Sequence, residues 1–107
     1  MTHVNHPCSI WTRETKENYQ WHHELMGYLL DEYTVRYKKR HKSEDVWRWL
    51  IFNQPLSFPS QGLSPFPICM KEEYKVSSDP VECYREYYIK DKVRFAKWKT
   101  SEPHWWP

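Results

Sequence analysis

Residues 16–40 read KENYQWHHELMGYLLDEYTVRYKKR, and this stretch decides the fold. Its apolar and aromatic side chains recur at steps of three and four, the spacing of one face of an amphipathic α-helix. Thr15 can cap the start of this helix, and Lys38, Lys39 and Arg40 suit the negative carboxy-terminal end of its dipole. The pattern predicts one long helix whose buried stripe consists of Tyr19, His22, His23, Met26, Leu29, Leu30, Tyr33 and Tyr37.

Shorter helices are predicted before and after the long one. Pro7 suits the first position of a leading helix that holds Ile10 and Trp11. Ser43 can cap a following helix, which is so apolar that we expect it to be buried. The apolar residues of that helix are Val46, Trp47, Trp49, Leu50 and Phe52.

The last predicted helix has the clearest start signal. Asp79 can cap it, Pro80 lies at its first position, and Glu82 follows three residues after the cap, as in the reciprocal capping arrangement. Its predicted core stripe consists of Val81, Tyr84, Tyr88, Phe95 and Trp98.

Residues 54–70 contain four prolines and one glycine. Proline at this density excludes a helix and favours an extended connection. We interpret the segment as a strap lying across the helices, because it is too apolar to be a free linker. The sequence therefore predicts an all-α fold: a single domain over residues 1–107, built as a compact bundle of three to four helices with a proline-rich strap and an aromatic-rich core.

Composition limits the classes of function. Cys8, Cys69 and Cys83 form no even-numbered disulfide framework, so we expect free thiols and a cytoplasmic protein. No apolar run reaches the roughly 18–20 residues of a membrane span, so no membrane partner is predicted. The net charge is only +2, and any affinity for nucleic acid must therefore come from a local patch of cations.

Two basic stretches are candidates for contact with nucleic acid. If they converge in the fold, they would form a groove for a phosphate backbone, with neighbouring rings to stack bases. The alternative is that both are solvated helix ends, where cations are favoured in any case. The candidate residues are Arg36, Lys38, Lys39, Arg40 and Lys42 in the first stretch, and Lys90, Lys92, Arg94, Lys97 and Lys99 in the second.

Metal and cofactor sites are not predicted. His3, His6 and Cys8 are ligand types that zinc accepts, but their spacing matches no established site. His22 and His23 are adjacent, so on a helix they point about 100° apart and do not easily share one ion.

Two further groups are candidates for catalysis. The acidic residues Glu24, Asp31, Glu32 and Glu44 could include a general acid or base, although acidic side chains on helix faces mostly stay solvated. Loss of Met1 would expose the α-amine of Thr2, whose pKa near 8 would leave it partly neutral and nucleophilic.

Much of the chain resembles a family of small phage proteins. The resemblance includes Thr2-His-Val-Asn-His-Pro7, Glu32-Tyr33-x-x-Arg36-Tyr37 and His41-Lys-Ser43, and later Asp79-Pro-Val-Glu, Tyr84-Arg-x-Tyr87-Tyr88 and Phe95-Ala-Lys-Trp98. Members are described as similar to pyrimidine-dimer DNA glycosylases of the endonuclease V type. Longer members have an additional amino-terminal segment, so we expect this chain to be a shortened relative or a fragment.

The resemblance implies an all-α DNA repair protein of the host-cell cytoplasm. Glycosylases of this type attack the sugar of the damaged nucleotide with an amino-terminal amine, while a glutamate assists and a base is flipped out. Carried onto this chain, the amine would be that of Thr2 and the glutamate would be Glu24.

Two classes of function follow. One is a DNA-binding helical protein of phage type, with a possible repair-type glycosylase activity on damaged pyrimidines. The other is a non-enzymatic phage protein that binds and inhibits a host enzyme or defence factor, using the proline-rich strap and Trp105-Trp106 as anchors. The same tryptophan-rich tail makes a homo-oligomer plausible.

Overall fold

The computed structural model describes residues 3–98 and 101–107. Within these residues the chain contains four α-helices and no β-strand, so the predicted all-α fold is confirmed. None of the described helices has the length and apolar character needed to cross a membrane. The helices are α1 (Pro7–Glu14), α2 (Lys16–Tyr37), α3 (Glu44–Phe52) and α4 (Pro80–Tyr87), with a 3₁₀ turn at Glu72–Tyr74 and a π-helical turn at Tyr88–Lys92.

The chain divides into two compact units, residues 1–64 and 65–107. The first contains α1, α2 and α3, and the second contains α4 with its two flanking turns. A single domain over residues 1–107 stays a prediction, because the compactness of each unit does not determine whether the two fold together.

A polar cluster joins α1 to α2 in the first unit. Thr15 caps α2 as predicted, since its hydroxyl accepts the N–H of Asn18 at 2.9 Å. The fully buried Asn18 side chain donates to the carbonyl of Trp11 and accepts the N–H of Ser64, both at 3.0 Å. Both ends of the buried amide are therefore satisfied, which is the condition for a polar group to be tolerated in a core.

The end of the strap lies across this junction. The indole of Trp11 donates to the carbonyl of Ser64 at 3.0 Å, and the N–H of Ser60 donates to the carbonyl of Glu14 at the same distance. The predicted strap is therefore present at residues 58–64, where hydrogen bonds at Ser60 and Ser64 attach it and the ring of Phe58 lies 5.8 Å from that of Tyr19.

One tryptophan attaches α3 to α2. The ring of Trp47 stacks on that of His23 with centroids 4.7 Å apart and planes 4° from parallel. The Trp47 indole donates to the carbonyl of His23 at 2.7 Å, and Nε2 of His23 lies 3.0 Å from the carbonyl of Trp47. A Cβ placed on Gly27 would lie 2.8 Å from Cζ2 of Trp47, so glycine permits this approach.

Two predictions about α2 need correction. The helix ends at Tyr37 and not at Arg40, because Lys38 turns into the left-handed region (φ 57°) and its N–H donates to the carbonyl of Thr34. The stripe predicted to be buried is fully buried only at Leu30. Tyr19, His23, Met26 and Tyr33 are half-buried, whereas His22, Leu29 and Tyr37 are exposed.

The prediction that α3 is buried is wrong. Its side chains Val46, Trp49, Ile51 and Phe52 are exposed, and the buried residue of this helix is Glu44. Ser43 precedes the helix without making a side-chain capping bond. A nine-residue helix that packs by one face leaves its other face outside, whatever its composition, and here that outer face is also apolar.

In the second unit, α4 begins nearly as the sequence predicted. Asp79 accepts the N–H of Val81 at 3.0 Å and Pro80 takes the first position. Glu82 does not complete the predicted reciprocal cap: it accepts the hydroxyl of Ser77 at 2.6 Å, and the hydroxyl oxygen of Ser77 in turn accepts the N–H of Asp79 at 3.1 Å. Ser77 therefore links the carboxylate of Glu82 to the backbone N–H of the capping residue Asp79.

The core of the second unit also differs from the predicted stripe. Val81, Tyr88 and Phe95 are exposed, whereas Cys83 is fully buried and its thiol donates to the carbonyl of Ser77 at 3.2 Å.

The tryptophan-rich tail packs within the second unit. Trp106 lies edge-on to Trp98 with centroids 5.2 Å apart, and the guanidinium of Arg85 lies 5.5 Å from the centre of the Trp105 ring. Both tail tryptophans are half-buried.

Candidate nucleic-acid interface

The first unit contains a cavity of about 440 Å³ against the carboxy-terminal half of α2. Its apolar lining consists of Met26, Leu29 and Leu30, and its polar lining includes Glu32, Arg36 and Ser43. Three rings complete the wall, those of Tyr33, Tyr37 and His41. We call this concavity the ring pocket.

The three rings are in mutual contact. The Tyr33 and Tyr37 centroids are 4.7 Å apart with planes inclined by 46°, and His41 meets Tyr33 edge-on at 4.8 Å. Nδ1 of His41 accepts the N–H of Ser43 at 3.0 Å, which places the proton of the neutral imidazole on Nε2. The wall therefore offers aromatic surface in more than one plane, which suits a flat ring as ligand.

Three lysines alternate in the sequence with the last residues that line the ring pocket. Lys38, Lys39 and Lys42 are exposed, and none of them forms an ion pair within residues 3–98 and 101–107. We call these three residues the lysine rim. Their charge is therefore available to an external anion.

The two arginines of the same stretch are already engaged. Arg36 pairs with Glu32 at 2.8 Å, one helical turn earlier. Arg40 pairs with Glu44 at 3.1 Å and with Asp45 at 3.4 Å. The first predicted cluster is therefore divided into two paired arginines and three lysines that form no ion pair with any described residue.

Glu44 holds the turn between α2 and α3 in place. This nearly buried carboxylate receives Arg40 from the turn and Arg48 from the next turn of α3 at 3.4 Å. Two guanidinium partners offset the free-energy cost of burying this carboxylate. Loss of either partner would leave part of that desolvation cost without compensation. The network thus connects Arg40 of the turn to α3, on either side of the pocket residues His41 and Ser43.

The second predicted cluster lies in the other unit and is mostly engaged. Lys90 lies 3.8 Å from Glu86, and Asp91 lies 3.4 Å from Lys92 and 3.9 Å from Arg94. A hydrogen bond with Tyr87 is the main reason that the pKa of Lys92 is raised, and the ammonium lies 4.9 Å from the centre of that ring. The remaining members differ: Lys97 is exposed without an ion pair in the described chain, and Lys99 lies outside the described residues.

Of the two predicted catalytic residues, Glu24 does not line the ring pocket. Thr2 lies outside the described residues. Glu24 is exposed, its carboxylate lies 3.5 Å from the Tyr28 hydroxyl, and it lines another cavity of about 230 Å³ together with Asp31 and Glu44.

His41 is the site residue that sequence reasoning missed. Tyr33, Tyr37 and His41 are spaced four residues apart, which would have indicated one ring-bearing face. The helix stops before His41, so helical phase alone could not place it, and the left-handed turn at Lys38 brings it back to Tyr33.

Comparison of the chain with family models, with curated proteins and with solved structures finds no match. The similarity to the phage proteins therefore stays a prediction, and the functional argument depends on the geometry of the first unit.

Proposed function

We propose that the first unit binds DNA, with phosphates on the lysine rim and one base in the ring pocket. The observation that carries this proposal is the position of three exposed lysines, without ion pairs in the described chain, directly after the rings of Tyr33 and Tyr37. The interaction would take place in the cytoplasm of a host cell, as the phage resemblance implies.

The lysine rim supports contact with the phosphate backbone. Binding of a phosphate by a cation releases counterions from DNA, which makes the affinity dependent on salt. Because Lys38, Lys39 and Lys42 need not break an ion pair within the described residues, their charge is available without that cost. Arg36 and Arg40 would instead keep their carboxylate partners and hold the rim in position.

The ring pocket supports contact with a base. Its volume of about 440 Å³ lies in the range of roughly 300–1,000 Å³ that is usual for small-ligand sites. Stacking of one base on an aromatic side chain contributes about 1–3 kcal/mol. A positively charged ligand would be repelled by the adjacent lysines, so a base carried by an anionic backbone fits the site better.

A repair-type glycosylase activity is the more specific form of this proposal. It assigns the attacking amine to Thr2 and proton transfer to Glu24, as the resemblance implies. Borohydride trapping on DNA with an abasic site or a pyrimidine dimer tests it: the covalent adduct should require a free Thr2 amine and decrease in Glu24→Gln. Absence of an adduct would remove the catalytic assignment and leave the binding proposal in place.

Fluorescence anisotropy with labelled single-stranded and duplex DNA tests the binding itself. We expect Lys38→Ser/Lys39→Ser to lower the affinity about tenfold or more at low salt, and to reduce the slope of log K against log salt by about 2 for duplex DNA. The matched control is Lys16→Ser/Lys71→Ser, which removes the same charge from exposed positions elsewhere. Equal losses in both variants, or no binding by the wild type at 50 mM salt, would contradict the proposal.

A further inference from the structure

The outer face of α3 presents large apolar side chains to solvent. Phe52 is 88% exposed and Trp49 is 60% exposed. Val46 is more than half exposed, and Leu56, four residues after the end of the helix, is fully exposed. A contiguous apolar patch of more than a few hundred Å² on a protein surface usually marks an interaction site.

Helical geometry places the two aromatic side chains together. Trp49 and Phe52 are three residues apart, so they lie on one face about 4.5 Å apart along the axis. Trp47 points the other way and stacks on His23 of α2. The helix thus uses one face inside the first unit and presents a second apolar face outside it.

The charges that border this face are balanced. Asp45 pairs with Arg40 at 3.4 Å, and Arg48 pairs with Glu44 at the same distance. An isologous contact brings the same surface patch of two subunits together, so an unbalanced charge would face its own copy and repel it. This face carries no such charge, and it also lacks the unpaired cations that DNA would require.

We propose that two copies of this chain pair through the outer faces of α3, antiparallel about a two-fold axis. In this register Trp49 of each copy meets Phe52 of the other, so that two aromatic pairs form at once. Such pairs attract each other beyond the burial of their apolar area. The lysine rim lies on residues 38–42, so the proposal does not depend on DNA binding.

The apolar area of the face is a large part of what a dimer interface needs. The exposed parts of Val46, Trp49 and Phe52 amount to something on the order of 400 Å² per copy. A standard interface buries about 800 Å² per partner, and the polar residues around the patch would supply the remainder as its rim.

A charge-pair experiment tests both the dimer and its register. Analytical ultracentrifugation of the full chain should show a dimer for the wild type at micromolar concentration, and a dissociation constant raised about tenfold or more for Trp49→Lys and for Phe52→Asp alone. An equimolar mixture of the two variants should dimerise again. In the mixed dimer one Trp49–Phe52 pair is native and the other becomes a lysine–aspartate pair.

Controls separate this interface from the alternatives. Val76→Asp, an exposed apolar position in the second unit, should leave the dimer unchanged, and far-UV circular dichroism should show native helix content in every variant. A monomeric wild type, or a dimer that survives both α3 variants, would overturn the proposal. Loss of the dimer in both variants without recovery in the mixture would overturn the antiparallel register.

Discussion

The junction of α1 with α2 and the far end of α2 are built in opposite ways. At the junction a polar side chain, that of Asn18, is fully buried and bonded on both sides. At the far end an aromatic side chain, that of Tyr37, is 45% exposed, and the lysines that follow it in the sequence form no ion pair with the described residues. We therefore expect stability to be concentrated where hydrogen bonds attach the strap, and the proposed binding surface lies where a ring and lysines are accessible to solvent.

The largest expected effect is at the junction. Asn18→Leu keeps the number and branching of the side-chain heavy atoms but removes the hydrogen bonds that Asn18 makes with the carbonyl of Trp11 and the N–H of Ser64. Removal of one partner from a buried hydrogen bond costs about 1–3 kcal/mol, so we expect a loss of about 2–4 kcal/mol in the free energy of unfolding. Urea denaturation followed by tryptophan fluorescence measures it.

The control for that substitution is Asn53→Leu. Asn53 also donates from its side chain to a backbone carbonyl, that of Trp49, but it does so at the surface, where water can replace the bond. Asn53→Leu should lower the free energy of unfolding much less than Asn18→Leu. Equal losses would show that the junction is not a special point of stability.

The next effect concerns binding at the far end of α2. Tyr37→Leu should weaken DNA binding by about 1–3 kcal/mol, because a stacking surface is removed, while stability changes little at this exposed position. Tyr28→Leu is the matched control, an exposed tyrosine on the same helix that does not line the ring pocket. Anisotropy titrations compare the affinities of the two variants for DNA. A larger loss of affinity in Tyr28→Leu than in Tyr37→Leu would place the binding surface elsewhere.

A smaller effect is expected where α3 meets α2. In Gly27→Ala the new methyl group would lie 2.8 Å from Trp47, and overpacking of this kind costs about 1–3 kcal/mol, offset by up to about 1 kcal/mol from the better helix propensity of alanine. We expect a net loss of about 1–2 kcal/mol in thermal or chemical unfolding. In a Trp47→Phe background the same substitution should cost nothing or stabilise the helix, since the smaller ring removes the clash.

The smallest effect is a dependence on pH. His22 is partly exposed, but desolvation of the covered side of its imidazole lowers its pKa from the usual 6.5, and its Nδ1 lies 2.6 Å from the hydroxyl of Thr12. The unfolded chain protonates His22 at a higher pH than the folded chain does. The neutral His22 therefore contributes its full stability above about pH 6.5, and this stability is lost as the pH falls through the lowered pKa. Denaturation at about pH 7 and pH 5 should show a loss that is smaller in His22→Asn. An identical loss in that variant would assign the dependence to other groups.

The sequence predicted the helices well and their burial poorly. Caps at Thr15 and Asp79 and prolines at positions 7 and 80 are local signals, and the helices begin where these signals lie. The burial of Asn18 could not be predicted, because its partners Trp11 and Ser64 are set by the path of the strap.

The candidate site was predictable only in part. The lysine rim and all three rings of the ring pocket lie within residues 33–42, and composition alone indicated the lysines and the two tyrosines. Which cations are paired depends on Glu44, which the fold brings to Arg40, and the place of His41 depends on the left-handed turn at Lys38. Apolar content misled the prediction for α3, because it does not tell which face finds a neighbour.

The most direct test maps the backbone amides of the ¹⁵N-labelled protein by NMR during titration with a short single-stranded DNA at low salt. The account predicts that shifts concentrate at residues 33–43 and leave the junction at residues 11–18 and 60–64 unchanged. Shifts concentrated at residues 90–97, or no shifts at all, would contradict the claim that the ring pocket and lysine rim bind DNA.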